Sequence, residues 1–224
     1  MQDKKAIKTV TIIGGTGNQG PGLALRWAKS GQYRVIIGSR QTTKAEIVAS
    51  GLNATLKQDL VTGMANQEAA AIADIVVLTV PYDAHASTLE SIRARLKGKV
   101  LVDVTVPLQP PNVSQVHIPV GGSAAAEAQA LLGQDVRVVA AFHNVSAVHL
   151  PHLDQPLDCD VLVCGDDKEA KAEAIALAEA ALLRGIDAGP LQNAGVVEGL
   201  TAILIGINQR YDVKGAGLKI TGLA

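Results

Sequence analysis

An α/β chain wound as a doubly wound parallel sheet, with a small α/β extension at its C-terminal end, is the fold class that three observations predict. Short runs of Val, Ile and Leu alternate with alanine-rich stretches of helical period along most of the 224 residues. The strand-like runs, DIVVLTV and VLVDVTV among them, are continuously apolar, as parallel strands covered on both faces by crossover helices require. A glycine-rich segment, IIGGTGNQGPG at residues 12–22, separates the first such run from the first helical stretch.

Taken in order, TVTII at residues 9–13 is the first strand, a helix follows the glycines to residue 30, and RVIIG at 34–38 is the second strand. A helix near 44–49 is expected to start on the capping box Thr43-Lys44-Ala45-Glu46, and a weaker one spans 66–72. A strand at 74–80, a helix at about 83–96 and a strand at 100–106 continue the alternation. Residues 107–122 hold four prolines and no helical period, which predicts a long surface loop. Ser123 then caps a helix, and VRVVAAF at 136–142 forms a buried strand that runs into His143. Beyond Pro151 lies a separate strand-helix piece with Asp166 and Glu169 as its helix cap. A last helix at about 193–209 leads into the tail YDVKGAGLKITGLA.

Composition narrows the function. The chain is 48% apolar but only 2% aromatic, so its core rests on Ala, Val, Leu and Ile. A net charge of −1 gives no basis for nucleic-acid binding, which relies on clustered Lys and Arg. The charged start MQDKKAIK is unlike a secretory signal, and no apolar stretch is long enough to span a bilayer, which predicts a cytoplasmic protein with no membrane partner. Cys159 and Cys164 lie an odd number of residues apart in an extended run and so face opposite ways, as inert thiols rather than a disulfide. The five histidines lack metal-ligand spacing, and no metal is expected.

Gly15, Gly17 and Gly20 fill G-x-G-x-x-G in the context that gives this weak pattern meaning, after a buried strand and before a helix. The first allows a tight turn, the second lets a pyrophosphate approach the backbone, and the third permits close helix-strand packing. Pro21 falls in the first helical turn, where its missing N–H costs nothing. At the end of the second strand, where an acidic residue would hold an adenine ribose 2′-hydroxyl, stand Gly38, Ser39 and Arg40, with Lys44 four residues on. That set suits a 2′-phosphate: Arg40 offers a fork, Lys44 a point charge, and Ser39 and Thr16 hydroxyls. NADP is the expected cofactor.

The motifs GGTGNQG, IGSRQTTKAE, LTVPYDAH, AFHNV, VCGDD, DAGPL and VEGLT, in this order over nearly the whole chain, resemble the F420H2:NADP+ oxidoreductase family. The resemblance implies a Rossmann-like domain at residues 1–150 that binds NADP, and a small domain at 151–224 that helps to enclose the deazaflavin coenzyme F420. It implies direct hydride transfer between the two rings without a covalent intermediate. Thr16, Gly17, Asn18 and Gln19 would contact the pyrophosphate, and Ser39, Arg40 and Lys44 the 2′-phosphate. Val80, Pro81, Tyr82, Ala86 and Ala147 would line the nicotinamide side, while Gly215, Ala216 and Gly217 would approach the deazaflavin. The chain departs from the archaeal pattern at DVTVPLQPP and NQRYDVKG, the latter carrying Arg210, Tyr211 and Lys214.

His143 is the candidate for proton chemistry or for a hydrogen bond to the deazaflavin; the plainer alternative is a strand-end histidine satisfied by backbone. Asp103 reads as a buried carboxylate taking backbone hydrogen bonds, and His117, His149 and His152 as structural or solvated loop residues. Two rival functions stay open at this level. One is an NADPH-dependent reductase of another acceptor, a free flavin passing electrons to iron or a small imine or hydroxy acid. The other is a non-catalytic NADP sensor. The apolar run GLTAILIGI at residues 199–207 predicts a homodimer.

Overall fold

The computed structural model describes residues 7–154 and 157–223, so the charged start lies outside it up to residue 6. The chain order is β1 (Lys8–Ile13), α1 (Gly20–Ser30), β2 (Tyr33–Ser39), α2 (Thr42–Leu56), β3 (Val61–Ala65), α3 (Asn66–Ile72), β4 (Ile75–Leu78), α4 (Tyr82–Ile92) and β5 (Val100–Asp103). There follow α5 (Ala124–Leu132), β6 (Arg137–Ala140), β7 (Asp160–Gly165), α6 (Lys168–Ala180), β8 (Arg184–Asp187) and α7 (Ala194–Tyr211). The strands form one sheet ordered β3-β2-β1-β4-β5-β6-β7-β8. β1 to β6 are parallel, β7 runs antiparallel to β6, and β8 is parallel to β7. The order reverses between β1 and β4, the point beyond which open α/β sheets bind ligands.

Alternation along each strand builds two cores. Val10, Ile12, Val35, Ile37, Val77 and Val102 face one layer with α1, α2 and α6. Ile36, Val76, Leu78, Leu101 and Val138 face the other with α3, α4 and α5. Period-two strands with both faces buried are what the unbroken apolar runs encode. The later residues join the same body: Trp27 in α1 donates from Nε1 to the Leu177 carbonyl of α6 (2.8 Å). Buried Arg26 donates to the carbonyls of Leu150, His152 and Ala181.

Several local expectations are corrected. Gln41, not Thr43, holds the N-cap position of α2, and no side chain caps that helix; Thr43 lies inside the first turn, past the position where a hydroxyl caps. Asp167, not Asp166, caps α6, accepting from the Ala170 N–H at 2.7 Å. Asp166 instead accepts from the Leu191 N–H. Ser123 caps α5 as expected, through the Ala126 N–H. The strands read as 100–106 and 136–142 leave the ladder at Asp103 and Ala140, and their remaining residues form loops at the carboxyl edge.

Two strands lacked a sequence signal, β3 and β8, and both lie at sheet edges. Edge strands bury less and tolerate polar residues. Each also carries a glycine where a helix comes too close for a side chain. A Cβ at Gly63 would lie 2.4 Å from the α2 backbone at Ala45 and Glu46, and one at Gly185 would lie 3.0 Å from Ile175 Cα in α6.

Candidate functional site

The glycine loop leaves β1 through Gly14, whose φ of 71° is the left-handed region that favours glycine. The tight turn therefore rests on Gly14 rather than on Gly15. Gly15 is confined instead, since its Cβ would lie 2.7 Å from the Ile12 carbonyl oxygen, and its N–H donates to Gly38 at the end of β2 (3.0 Å). At Gly20 a Cβ would sit 2.6 Å from Gly15 Cα, so α1 packs on the loop backbone itself. Gly17 has room by comparison: its Cβ would meet nothing nearer than the Gly14 oxygen at 3.6 Å. A glycine that its own fold does not need is the one that leaves the backbone open to a ligand. Pro21 lies at the start of α1, whose first-turn N–H groups lack helical acceptors and face this loop.

The Gln19 side chain is engaged, its Nε2 donating across to the Val145 carbonyl at 3.0 Å. At the end of β2, Ser39 is buried and accepts from the Gln41 N–H, while Arg40 and Lys44 are exposed. Among the described residues neither cation forms a salt bridge. Two free positive charges, with no acidic residue between them, flank the outlet of β2.

Beyond the carboxyl ends of β1, β4, β5 and β6 lies a cleft of about 500 Å³. Its floor is Gly17 to Gln19, Thr79 to Pro81, and the segment from Phe142 to Ala147; one wall is Thr201, Leu204, Ile205 and Asn208 of α7, with Ala216 from the tail. The expected residues Gly17, Asn18, Gln19, Val80, Pro81, His143, Ala147 and Ala216 converge here. Gly15 and Gly20 underlie the loop, and Thr16 lies within it. Ser39, Arg40 and Lys44 gather separately at the β2 end. Tyr82 and Ala86 stand outside the cleft lining: the Tyr82 hydroxyl donates to Glu127 Oε2 at 2.9 Å, and Ala86 is exposed on α4.

His143 is 5% exposed, and neither ring nitrogen has a hydrogen-bond partner among the described residues. Burial pushes its pKa down to about 4, against the opposing pull of the charge and backbone of Asp103, so the imidazole is neutral at pH 7. A buried polar group without partners is costly, and His143 is among the residues that line the cleft. The chain reaches His143 through Phe142, fully buried with φ of 67°, a conformation that costs a bulky residue about 1–3 kcal/mol and clusters at functional sites. Phe142 is held by the edge of Trp27, with ring centroids 5.8 Å apart. The His143 carbonyl accepts from Thr201 Oγ1 (2.8 Å), tying α7 to the end of β6.

Asp103 takes the backbone N–H of Thr105, as expected, and also contacts His85 Nε2 at 2.7 Å. Burial lowers the His85 pKa, but the hydrogen bond and charge of Asp103, with the charges of Glu127 and Glu198, outweigh it and leave the pKa raised. Glu198 of α7 is buried and accepts from the N–H groups of Ala124 and Ala125 at the start of α5. Burial pushes its pKa up to about 8, although those N–H groups favour the charge. His85, Glu198 and the α7 lining residues escaped the sequence reading. Glu198 in a run of small apolar helix residues was the available signal, because such a carboxylate needs donors from a neighbouring element.

Comparison with known proteins agrees in extent with this geometry. Residues 9–107 match the family model described as NADP oxidoreductase, coenzyme F420-dependent. The F420-dependent NADP reductase of Methanocaldococcus jannaschii is 42% identical over 223 residues, covering 96% of this chain and 98% of the relative. That of Methanothermobacter thermautotrophicus is 44% identical over 227 residues, covering 98% and 97%. A crystal structure from Arthrobacter sp. FB24, provisionally titled an F420-dependent NADP-reductase, superposes with a TM-score of 0.77 at 25% identity, covering 96% of this chain and all of that one.

Proposed function

The chain belongs to the family of coenzyme F420-dependent NADP oxidoreductases, and on that premise we propose that it moves hydride between NADP(H) and the deazaflavin coenzyme F420, both bound in the cleft beyond β1 and β4. The reaction needs two flat rings held face to face more than it needs an acid or a base, so positioning dominates catalysis.

The observation that carries this reading is one apolar cleft with distinct requirements at its two ends. The open backbone at Gly17 and the start of α1 suit a pyrophosphate held by Thr16, Gly17, Asn18 and the Gln19 backbone, with Gly15 and Gly20 setting the loop. Unpaired Arg40 and Lys44, with Ser39, suit a 2′-phosphate. Val80, Pro81 and Ala147 are the nicotinamide wall, with Tyr82 and Ala86 supporting it from α4. At the other end, His143 offers a neutral imidazole with two unused nitrogens, and Ala216 brings the tail to the same space. We assign His143 the role of hydrogen-bonding the polar edge of the deazaflavin.

Residues 1–150 serve as the NADP-binding portion in this reading and 151–224 as the portion that closes over the second substrate. We also propose a homodimer through α7: Val196 and Ile203, two turns apart on one stripe, are exposed, and Val116 packs on the same helix at Gly199. Light scattering checks the dimer. Among the described residues no helix is long and apolar enough to cross a membrane; the cytoplasm, the proposed site of action, requires nothing more of the fold. The function is tested by following NADPH oxidation with F420 and, in parallel, with flavin mononucleotide. Turnover with the deazaflavin alone is expected. Turnover with the flavin alone points to a reductase of another acceptor, and tight NADPH binding without turnover to a sensor.

A further inference from the structure

The tail beyond α7 carries no secondary structure from Gly215 to Ile220, yet Ala216 lines the cleft. Its residues are half-buried or exposed, so apolar burial alone gives it little reason to stay in place. Besides an exposed ion pair between Lys219 and Asp158, polar contacts hold it at two points. Near the cleft, the Ala216 N–H donates to Asn208 Oδ1 of α7 at 2.8 Å. Farther on, the tail is gathered around one buried carboxylate, Asp160 at the start of β7.

That carboxylate accepts three donors: Arg184 Nε at 2.9 Å, Arg184 Nη2 at 2.7 Å and the Ile220 N–H at 2.6 Å. Arg184 reaches past it to the Ile220 carbonyl at 2.5 Å, and the Asp160 N–H donates to the Leu218 carbonyl at 2.7 Å. The guanidinium thus grips a carboxylate in its bidentate geometry and a strap carbonyl together, which a lysine cannot do. Asp160 is also joined to the site, since its carbonyl accepts from Asn144 Nδ2 at 2.6 Å, and Asn144 follows His143 in the cleft lining. One residue therefore ties the strap to the cleft floor. The hydrogen bond from Arg184 holds the Asp160 pKa low, so the grip persists well below neutral pH.

We propose that Asp160 and Arg184 are positioning residues for the second substrate: they pin the tail at residues 218–220, which keeps Ala216 in the cleft wall, and act through that strap, touching neither ring. The identity of that substrate rests on the functional reading above; the anchoring does not. The glycine loop and the β2 cations lie outside the grip, so nucleotide affinity is independent of it.

The test combines amide hydrogen exchange with steady-state kinetics on the full-length Arg184→Gln, Arg184→Lys and Asp160→Asn variants. Arg184→Gln, which alters the more exposed partner, should speed exchange at the Ile220 and Asp160 amides at least about tenfold, the loss expected from one charge-assisted hydrogen bond. KM for F420 should rise by a similar factor, while kcat and NADPH affinity stay within about twofold. Arg184→Lys should recover part of both effects, and Asp160→Asn should match or exceed Arg184→Gln. Wild-type exchange rates in both Arg184→Gln and Asp160→Asn would overturn the anchoring. Faster exchange with equal losses for NADPH and F420 would overturn the claim of specificity for the second substrate. A wild-type protein that does not turn over F420 would instead overturn the functional reading, and the exchange rates would still decide the anchor.

Discussion

The two ends of the cleft are built in different ways. The end proposed for the phosphates is made of backbone from one stretch, Gly14 to Gly20, helped by the neighbouring outlet of β2. The end proposed for the second substrate is made of side chains from the segment after β6, from α7 and from the tail, segments separated by tens of residues and brought together only by the sheet. A backbone site must be written locally in glycines, whereas a side-chain site is written only in the fold. The phosphate end should therefore fail through steric change and charge, and the other end through loss of individual contacts.

The sharpest way to break this contrast is Gly20→Ala set against Gly17→Ala. A methyl at Gly20 meets Gly15 Cα at 2.6 Å, so the variant should lose about 1–3 kcal/mol by overpacking, read as a fall in thermal midpoint, and bind NADPH poorly. A methyl at Gly17 has room in the protein, so it should leave the midpoint nearly unchanged while still lowering NADPH affinity. Equal midpoint losses in the two variants would remove the distinction between a structural and a ligand-facing glycine.

Charge comes next. Arg40→Ala should lower the preference for NADP over NAD by roughly 10- to 10²-fold, as one charge-assisted bond of about 1.5–3 kcal/mol predicts. Dissociation constants for the two nucleotides check it. At the other end, His143→Leu should reduce kcat/KM for F420 about tenfold, the value of one hydrogen bond, with NADPH affinity unchanged. Because burial holds the His143 pKa near 4, the wild-type rate should show no inflection from this residue between pH 5.5 and 8.

The smallest effect concerns the staple that holds α7 as the cleft wall. Glu198 titrates near 8 when folded, above the usual carboxylate value of about 4.3 in the unfolded chain. Its raised pKa means that stability present below about pH 4.3 is lost as pH rises toward 8, where the unfolded chain has released a proton that the folded one retains. The thermal midpoint of the wild type should thus fall more between pH 5 and 8 than that of Glu198→Gln, which does not titrate. The glutamine should cost about 1 kcal/mol at pH 5, because its amide cannot accept from both Ala124 and Ala125.

The same contrast explains what could be read without coordinates. The central strands were legible because both faces are buried, and the glycine loop because its spacing obeys backbone sterics. β3 and β8 were not, since edge strands bury less and theirs carry glycines required by α2 and α6. The capping errors at Thr43 and Asp166 are shifts of one or two residues, which side-chain type alone does not resolve. His143 was singled out by its place after a buried strand, but its neutrality and unpaired nitrogens follow from Phe142 and the packing around it. Thr201, Asn208, Asp160 and Arg184 act through partners 8 to 60 residues away and left no local pattern.

The central claim is that one cleft aligns two rings for direct hydride transfer. Reduction of F420 by NADPH deuterated at the transferring carbon, followed by mass spectrometry of the reduced deazaflavin, tests it most directly. The account predicts that the label appears at the hydride-accepting carbon of the deazaflavin when the reaction runs in ordinary water, and that with unlabelled NADPH in heavy water no deuterium is retained on carbon, the accompanying proton being taken from solvent onto an exchangeable ring nitrogen. Loss of the label to solvent, with the deazaflavin taking its carbon-bound hydrogen from water, would contradict it.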